Sequence, residues 1–293
     1  MSANLQHHAE RLPDSLLIGW LQEDAPHGDL TTRALGLGVE PARLQFSARR
    51  DMRVALIEEA ARLIELCGAT AELHCTSGSD AAAGSLLLSA AGPAAGLLLA
   101  WKVAQNAVEM AGGIATETAH IVGLLRAAGH AQALACTRKT PPGCRALAVR
   151  AVLAGGGVMR RLGLSDSLLV FPEHRLFLAP DILRRRLTAL RSSQPEKRLV
   201  VEVGDAAEAL AMAAAGAEVL QLERFTPEAL RSLKMELVAR GLKPLVAPAG
   251  GVMAANAVAY AQAGADFLVS SAPYHAPPTD VKVRFSSAAT AST

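Results

Sequence analysis

Leu199-Val200-Val201-Glu202-Val203, then the alanine-rich run 206–215, then Val219-Leu220-Gln221-Leu222, read as strand, helix and strand joined by short connections. The same rhythm continues on both sides. Downstream it predicts a helix over 227–240, a strand over 245–247, a helix over 254–263 and a strand over 267–270. Upstream lie a strand over 131–135, a helix over 146–154 that stops at Gly155-Gly156-Gly157, a strand over 168–171 and a helix over 181–191. Strands and helices that alternate this regularly predict an α/β fold with a parallel barrel, closed or nearly so.

The N-terminal part has another pattern. A short helix over 16–21 and a strand over 44–48 precede a helix over 53–67, which is apolar mainly on one side. Strands over 72–76 and 85–90 follow, then a helix over 97–110 that runs into Ala111-Gly112-Gly113. A separate helix is expected over 117–128. Residues 1–115 therefore form an α+β domain, and 116–275 the barrel. The tail over 280–285 alternates apolar and polar residues like an edge strand, so 276–293 is expected to rejoin the first domain.

Composition narrows the function classes. Of 293 residues 51% are hydrophobic and only 3% aromatic, so the core must be built from Ala, Leu and Val, as suits helices on a parallel sheet. A net charge of +2 gives no reason to expect nucleic acid. Cys67, Cys75, Cys136 and Cys144 show no metal-ligand spacing and read as free thiols of a reducing compartment. The start, 1–14, is polar and lacks a cationic-then-apolar targeting signal, which points to the cytoplasm. Residues 81–101 carry no charge, but Gly92-Pro93 is expected to split them into strand, turn and helix start, so no membrane span is predicted.

Chemistry gathers at the predicted strand ends. The strand over 131–135 runs into Cys136-Thr137-Arg138-Lys139-Thr140-Pro141-Pro142-Gly143, where two adjacent cations sit on a turn that no helix or central strand can absorb. Taken alone such a pair is a solvated basic turn. Its companions on the same rim are Glu202, Glu223, Gly250, Gly251, Ser270 and Ser271, with Arg160 and Arg161 after the triple glycine. Gly- and Ser-rich loops feeding helix N-termini offer free N–H groups to phosphate. Two carboxylates beside a phosphate imply a divalent cation between them, and Mg²⁺ is the ion held in that way. Glu23-Asp24 with Gly28-Asp29-Leu30-Thr31-Thr32 reads instead as a capping turn.

The order of Gly28-Asp29-Leu30-Thr31-Thr32, Gly113-Ile114-Ala115-Thr116, Thr137-Arg138-Lys139-Thr140, Gly155-Gly156-Gly157 and Arg161…Gly163-Leu164…Asp166 resembles that of nicotinate-nucleotide pyrophosphorylases, also called quinolinate phosphoribosyltransferases. The resemblance covers nearly the whole chain. In finer detail, at Trp101-Lys102-Val103-Ala104-Gln105-Asn106, Phe171-Pro172-Glu173-His174 and Ser271-Ala272-Pro273-Tyr274, it is similar to the ModD branch associated with molybdate transport. The resemblance implies an N-terminal α/β sandwich, an open α/β barrel, and a homodimer or higher homo-oligomer whose active site lies at the subunit interface. It implies transfer of a phosphoribosyl group from phosphoribosyl pyrophosphate to an aromatic carboxylic acid such as quinolinate. By motif position Arg138 and Arg161 would grip substrate carboxylates, with Arg160 and His174 beside them. Lys139 would serve the phosphoribosyl ligand or a carboxylate, and Glu202 and Glu223 would hold Mg²⁺-pyrophosphate. Lys102 stands where the family has an Arg lent by the partner.

Several positions depart from the family pattern. Arg160 replaces a His, and Phe171 replaces the Lys of a Lys-Asp-Asn-His motif. Ala247 replaces the Glu of Glu-x-Ser-Gly-Gly, and Glu223-Arg224 stands for Asp-Asn. These changes leave the acidic pair and the Thr-Arg-Lys-Thr turn in place and remodel the acceptor pocket. The competing reading is a non-catalytic anion-binding or regulatory protein associated with molybdate transport. Glu202 and Glu223 weigh against it, since both would repel a simple oxyanion.

Overall fold

The structure, a computed structural model, describes residues 11–287. The polar N-terminal start and the two ends of the expected N-terminal domain fall partly outside these residues. The chain divides into two compact units, one holding the segments up to Ala119, Pro141–Gly156 and from Pro273 onward, the other His120–Thr140 and Gly157–Ala272.

The first unit begins with helices α1 (Asp14–Asp24) and α2 (Leu30–Ala34). Asp29 caps α2 by accepting from the N–H groups of Thr31 and Thr32, so the acidic turn is structural, as its sequence suggests. Strand β1 (Pro41–Ala48) buries Leu44, Phe46 and Ala48 at the period of two that a half-covered strand requires. The short β2 (Met52–Arg53) leads to α3 (Ile57–Leu66), then β3 (Thr70–Leu73), β4 (Asp80–Ala81), β5 (Leu86–Pro93) and the long α4 (Ala94–Ala127). The main sheet has the order β13–β1–β5–β3, where β13 (Val281–Ser287) runs antiparallel to β1 with Leu44 opposite Phe285. Helix α3 packs on β3 and β5.

Three expectations fail here for physical reasons. Helix α3 starts at Ile57, four residues later than expected, because the backbone of Val54 is already bonded to Ser79 and Gly78. The strand expected over 72–76 lies at Thr70–Leu73. No turn follows Gly92-Pro93: Pro93 ends β5 and Ala94 begins α4, which then passes through Gly112-Gly113 without a break. The paired glycines serve a close approach. A Cβ on Gly113 would collide with the Pro277 carbonyl oxygen, and one on Gly112 with Thr279 Oγ1. Among the described residues no helix is long and apolar enough to cross a membrane.

The second unit holds β6 (Leu134–Cys136), β7 (Val158–Met159), β8 (Leu168–Val170), α6 (Pro172–Arg175), α7 (Pro180–Ser193), β9 (Leu199–Val203), α8 (Ala206–Ala214), β10 (Val219–Glu223), α9 (Pro227–Ala239), β11 (Leu245–Ala249), α10 (Ala254–Gln262) and β12 (Leu268–Ser270). The intervening α5 (Arg145–Ala154) groups with the first unit. All pairings in the second unit are parallel, in two ladders, β8–β9–β10–β11 and β12–β6–β7. Leu199, Val201, Val203, Leu220 and Leu222 are wholly buried, so these strands are covered on both faces, as parallel strands under helices must be. Beside β11 and β12 the ladder lapses, but Asp266 N–H donates to the Val246 carbonyl, and Ala247, Ala249 and Val269 pack together. The ends β7 and β8 keep unpaired edges, which makes this the open α/β barrel that the sequence predicts.

Candidate active site

A cavity of about 930 Å³ lies within the second unit, lined from the last residues of its strands. Parallel strands end together on one rim, so residues far apart in sequence converge there. Arg138 and Lys139 follow β6, Arg160 and Arg161 follow β7, Glu202 comes from β9, Glu223 ends β10, Gly250 and Gly251 follow β11, and Ser271 follows β12; all line the cavity.

The cationic side is assembled by the backbone. Thr137 N–H donates to the Ser270 carbonyl at 3.0 Å and Arg160 N–H to the Cys136 carbonyl at 2.8 Å, which fixes both turns to neighbouring strands. Among the described residues no carboxylate hydrogen-bonds the enclosed nitrogens of Arg138 and Arg160. Arg138 Nε, Arg160 Nε and Arg160 Nη2 are enclosed and have no hydrogen-bond partner. Burial and the Arg161 charge lower the pKa of Arg160; burial and Arg138 lower that of Arg161, while Asp166 opposes the shift. Unpaired buried donors are costly, and a set of them beside a cavity is suited to an oxyanion that arrives with a ligand.

The acidic side has the opposite tension. Burial, then the Glu223 carboxylate, then Glu173 push the Glu202 carboxyl up, against the Gln221 hydrogen bond and Lys139, which pull it down. Gln221 Nε2 donates to Glu202 Oε2 at 2.7 Å, while Gln221 Oε1 is buried without a partner. Glu223 lies against a glycine: a Cβ on Gly250, whose φ is +75°, would stand 2.5 Å from Glu223 Oε1. Arg224, held at φ 56°, approaches the same oxygen at 3.6 Å from a largely exposed position. Among the described residues no three His, Cys, Asp or Glu side chains form a protein-only metal site. Two adjacent carboxylates, one with a raised pKa, and a free amide oxygen do fit a hard divalent cation that completes its shell with ligand phosphates and water.

Not every candidate joins this cavity. Ser270 is buried and structural, its hydroxyl donating to the Val252 carbonyl and accepting from Ala272 N–H. His174 lines an adjacent, mainly apolar groove; it accepts from Phe171 N–H through Nδ1 and stacks on the Phe171 ring. Lys102 belongs to the first unit, where it is exposed, bonded to Gln105 and 4.1 Å from the centre of the Trp101 ring. Conversely Gln221, Glu173, Leu169 and Val269 line the cavity unannounced. Gln221 hides inside the apolar run of β10, although its alternation with Glu223 on one strand face was a usable signal.

Family models match both parts of the chain: the N-terminal domain of quinolinate phosphoribosyl transferase over residues 29–111 and its C-terminal domain over 114–284. A Rhodobacter capsulatus protein named as the pyrophosphorylase ModD is 48% identical over 260 residues, covering 87% of this chain and 98% of its own. A Synechocystis protein named as a carboxylating nicotinate-nucleotide pyrophosphorylase is 31% identical over 265 residues, covering 89% of this chain and 88% of its own. The solved structure of the Francisella tularensis nicotinate-nucleotide pyrophosphorylase shares the fold, with a TM-score of 0.84 at 24% identity over 94% of this chain and 98% of that one.

Proposed function

The chain belongs to the quinolinate phosphoribosyl transferase family and is a pentosyltransferase of that kind, and from this premise we propose that it transfers the phosphoribosyl group of Mg²⁺-bound phosphoribosyl pyrophosphate to a quinolinate-like aromatic acid. The observation that carries the reading is the polarity of one cavity: enclosed, unpartnered guanidinium donors after β6 and β7, and paired carboxylates on β9 and β10.

In this reaction the bond from the anomeric carbon to pyrophosphate breaks and a bond to the acceptor nitrogen forms. Positive charge builds on the ribose and negative charge on the leaving group, so the protein's work is positioning and electrostatic stabilisation. Arg138, Arg160 and Arg161 orient the acceptor through its carboxylates, whose oxygens satisfy the free donors. Lys139 and the N–H groups of the Gly250-Gly251 turn hold phosphate oxygens, with Ser271 beside them. Glu202 and Glu223 would hold Mg²⁺, with Gln221 fixing Glu202 in place. When bound, that ion supplies charge neutralisation to the departing pyrophosphate. No side chain needs to act as a nucleophile.

Phe171 narrows the acceptor further. Its ring lines the cavity with the Arg161 guanidinium carbon 5.5 Å from the ring centre, so an aromatic face stands where the family pattern has a Lys. Arg138 and Arg160 supply further cations to the cavity. This arrangement suits an acceptor whose ring faces Phe171 and whose anionic groups reach these guanidiniums. The loss of the family's Lys at this position supports an aromatic acid related to quinolinate as the acceptor.

Calorimetric titration tests the reading. Phosphoribosyl pyrophosphate should bind only with Mg²⁺, and quinolinate should then bind the loaded protein weakly or turn over slowly. If phosphoribosyl pyrophosphate fails to bind with Mg²⁺ present, the proposal fails; fast quinolinate turnover would restore quinolinate itself as the acceptor.

A further inference from the structure

The segment after β8 brings Phe171 and Glu173 into the cavity wall, yet little holds it down. Helix α6 has four residues and none is buried; Pro172, Glu173 and His174 are exposed, as are Leu176 and Phe177 just after it. A helix this short has no stability of its own. Its most enclosed side chain is a cation. Arg175 is 10% exposed and its Nη2 lies 2.5 Å from Glu208 Oε1 on α8. The other oxygen, Glu208 Oε2, accepts from Gly204 N–H at 2.8 Å in the turn two residues beyond Glu202. Asp205 caps the same helix by accepting from Glu208 N–H. One carboxylate thus ties α6 to the end of β9.

We propose that Arg175 is a positioning residue, latched to Glu208 so that Phe171 and Glu173 keep their places in the cavity wall next to Glu202. An enclosed, charge-assisted bond can hold a helix none of whose own residues is buried, because a lost partner leaves the remaining charge uncompensated. The latch itself rests on geometry alone; its consequence for acceptor binding rests on the function proposed above. On that reading Arg175 touches no substrate, and its loss acts through Phe171.

The test is amide hydrogen exchange on the full chain, comparing wild type with Arg175→Met and, as a second variant on the other partner, Glu208→Gln. Exchange over 171–178 should rise about ten- to hundredfold in both, the loss expected for one charge-assisted bond, and the midpoint of global unfolding should fall by a few degrees because the same bond is lost there. Arg175→Lys should recover part of the protection. Unchanged exchange over 171–178 in both variants overturns the latch. Binding of phosphoribosyl pyrophosphate with Mg²⁺ is measured in parallel and should shift by less than about twofold in Arg175→Met, because Glu202 keeps its Gln221 bond. A much larger loss in that variant would place Arg175 in the donor site and refute a role confined to the wall. If wild type itself fails to bind with Mg²⁺ present, the proposed function falls and the exchange data still decide the latch.

Discussion

Arg138 illustrates how a single residue can be read before the fold is known. An adjacent Pro-Pro-Gly forced it onto a turn, and the strand before it placed that turn on a rim; both inferences used only backbone chemistry. The structure adds its enclosed Nε without a partner, which no sequence pattern reports. Arg138→Ala should lose roughly 2–4 kcal/mol of transition-state stabilisation, the scale for removing one preorganised donor, seen as a fall in kcat/KM of about 30- to 1000-fold with the true acceptor supplied. Wild-type turnover in the variant would remove Arg138 from the site. Glu202 makes a pH prediction. Burial and Glu223 raise its pKa, so the folded chain disfavours the ionised carboxylate. Its presence is therefore neutral below the ordinary carboxyl range and costs stability as pH rises through the raised value. Without divalent cations, Glu202→Gln should leave Tm unchanged at about pH 4 and raise it at about pH 8, by an amount below roughly 1 kcal/mol because the group keeps solvent contact. An equal shift at both pH values would mean that packing, and not charge, sets the effect. Gln221, whose role is a hydrogen bond to Glu202, left only one trace in the sequence, its place two residues before Glu223 on one strand face.

At the scale of elements, the barrel strands were legible because each is a short apolar run between polar punctuation, and the pattern repeats. The strand expected over 199–203 is β9, Leu199–Val203. Glycines misled where they serve packing. Gly112-Gly113 reads as a helix end, but α4 continues through it because the backbone at Pro277 and the Thr279 side chain press against it. Two opposing magnitudes decide what a methyl would do there. Alanine improves helix propensity by about 1 kcal/mol, while overpacking costs about 1–3 kcal/mol. At Gly113 the obstacle is backbone, the Pro277 carbonyl oxygen with its carbon at 3.1 Å and Pro278 Cα at 3.2 Å, and neither proline can rotate aside. The cost wins, and Gly113→Ala should lower stability to urea by roughly 1–2 kcal/mol. Gly123 supplies the control on the same helix: a Cβ there meets nothing within 4 Å, so Gly123→Ala should gain up to about 1 kcal/mol. Similar effects at both positions would show that the close approach carries no energy. The late start of α3 has the same origin, since hydrogen bonds from Val54 to a distant turn leave no local trace in sequence.

At the scale of the whole molecule the cavity and Lys102 belong to different compact units of one chain. Lys102 is exposed, and among the described residues its ammonium rests on the Trp101 ring and the Gln105 amide, not on a carboxylate. A cation so placed is free to serve an anion brought by another molecule, and in the homodimer that the family resemblance implies that anion would be the ligand in the partner's cavity. The arrangement can be tested without knowing the interface. Lys102→Ala and Arg138→Ala should each be nearly inactive alone. After unfolding and refolding together, half of the dimers are mixed. In each mixed dimer one site combines an intact Arg138 with an intact Lys102 from the opposite chain. Activity should therefore return to about a quarter of wild type. If Lys102 served the cavity of its own chain, every site in the mixture would carry one defect and nothing would return. If Lys102→Ala were fully active alone, Lys102 would have no part in the site, and the five cations that line the cavity would bind the acceptor and donor unaided.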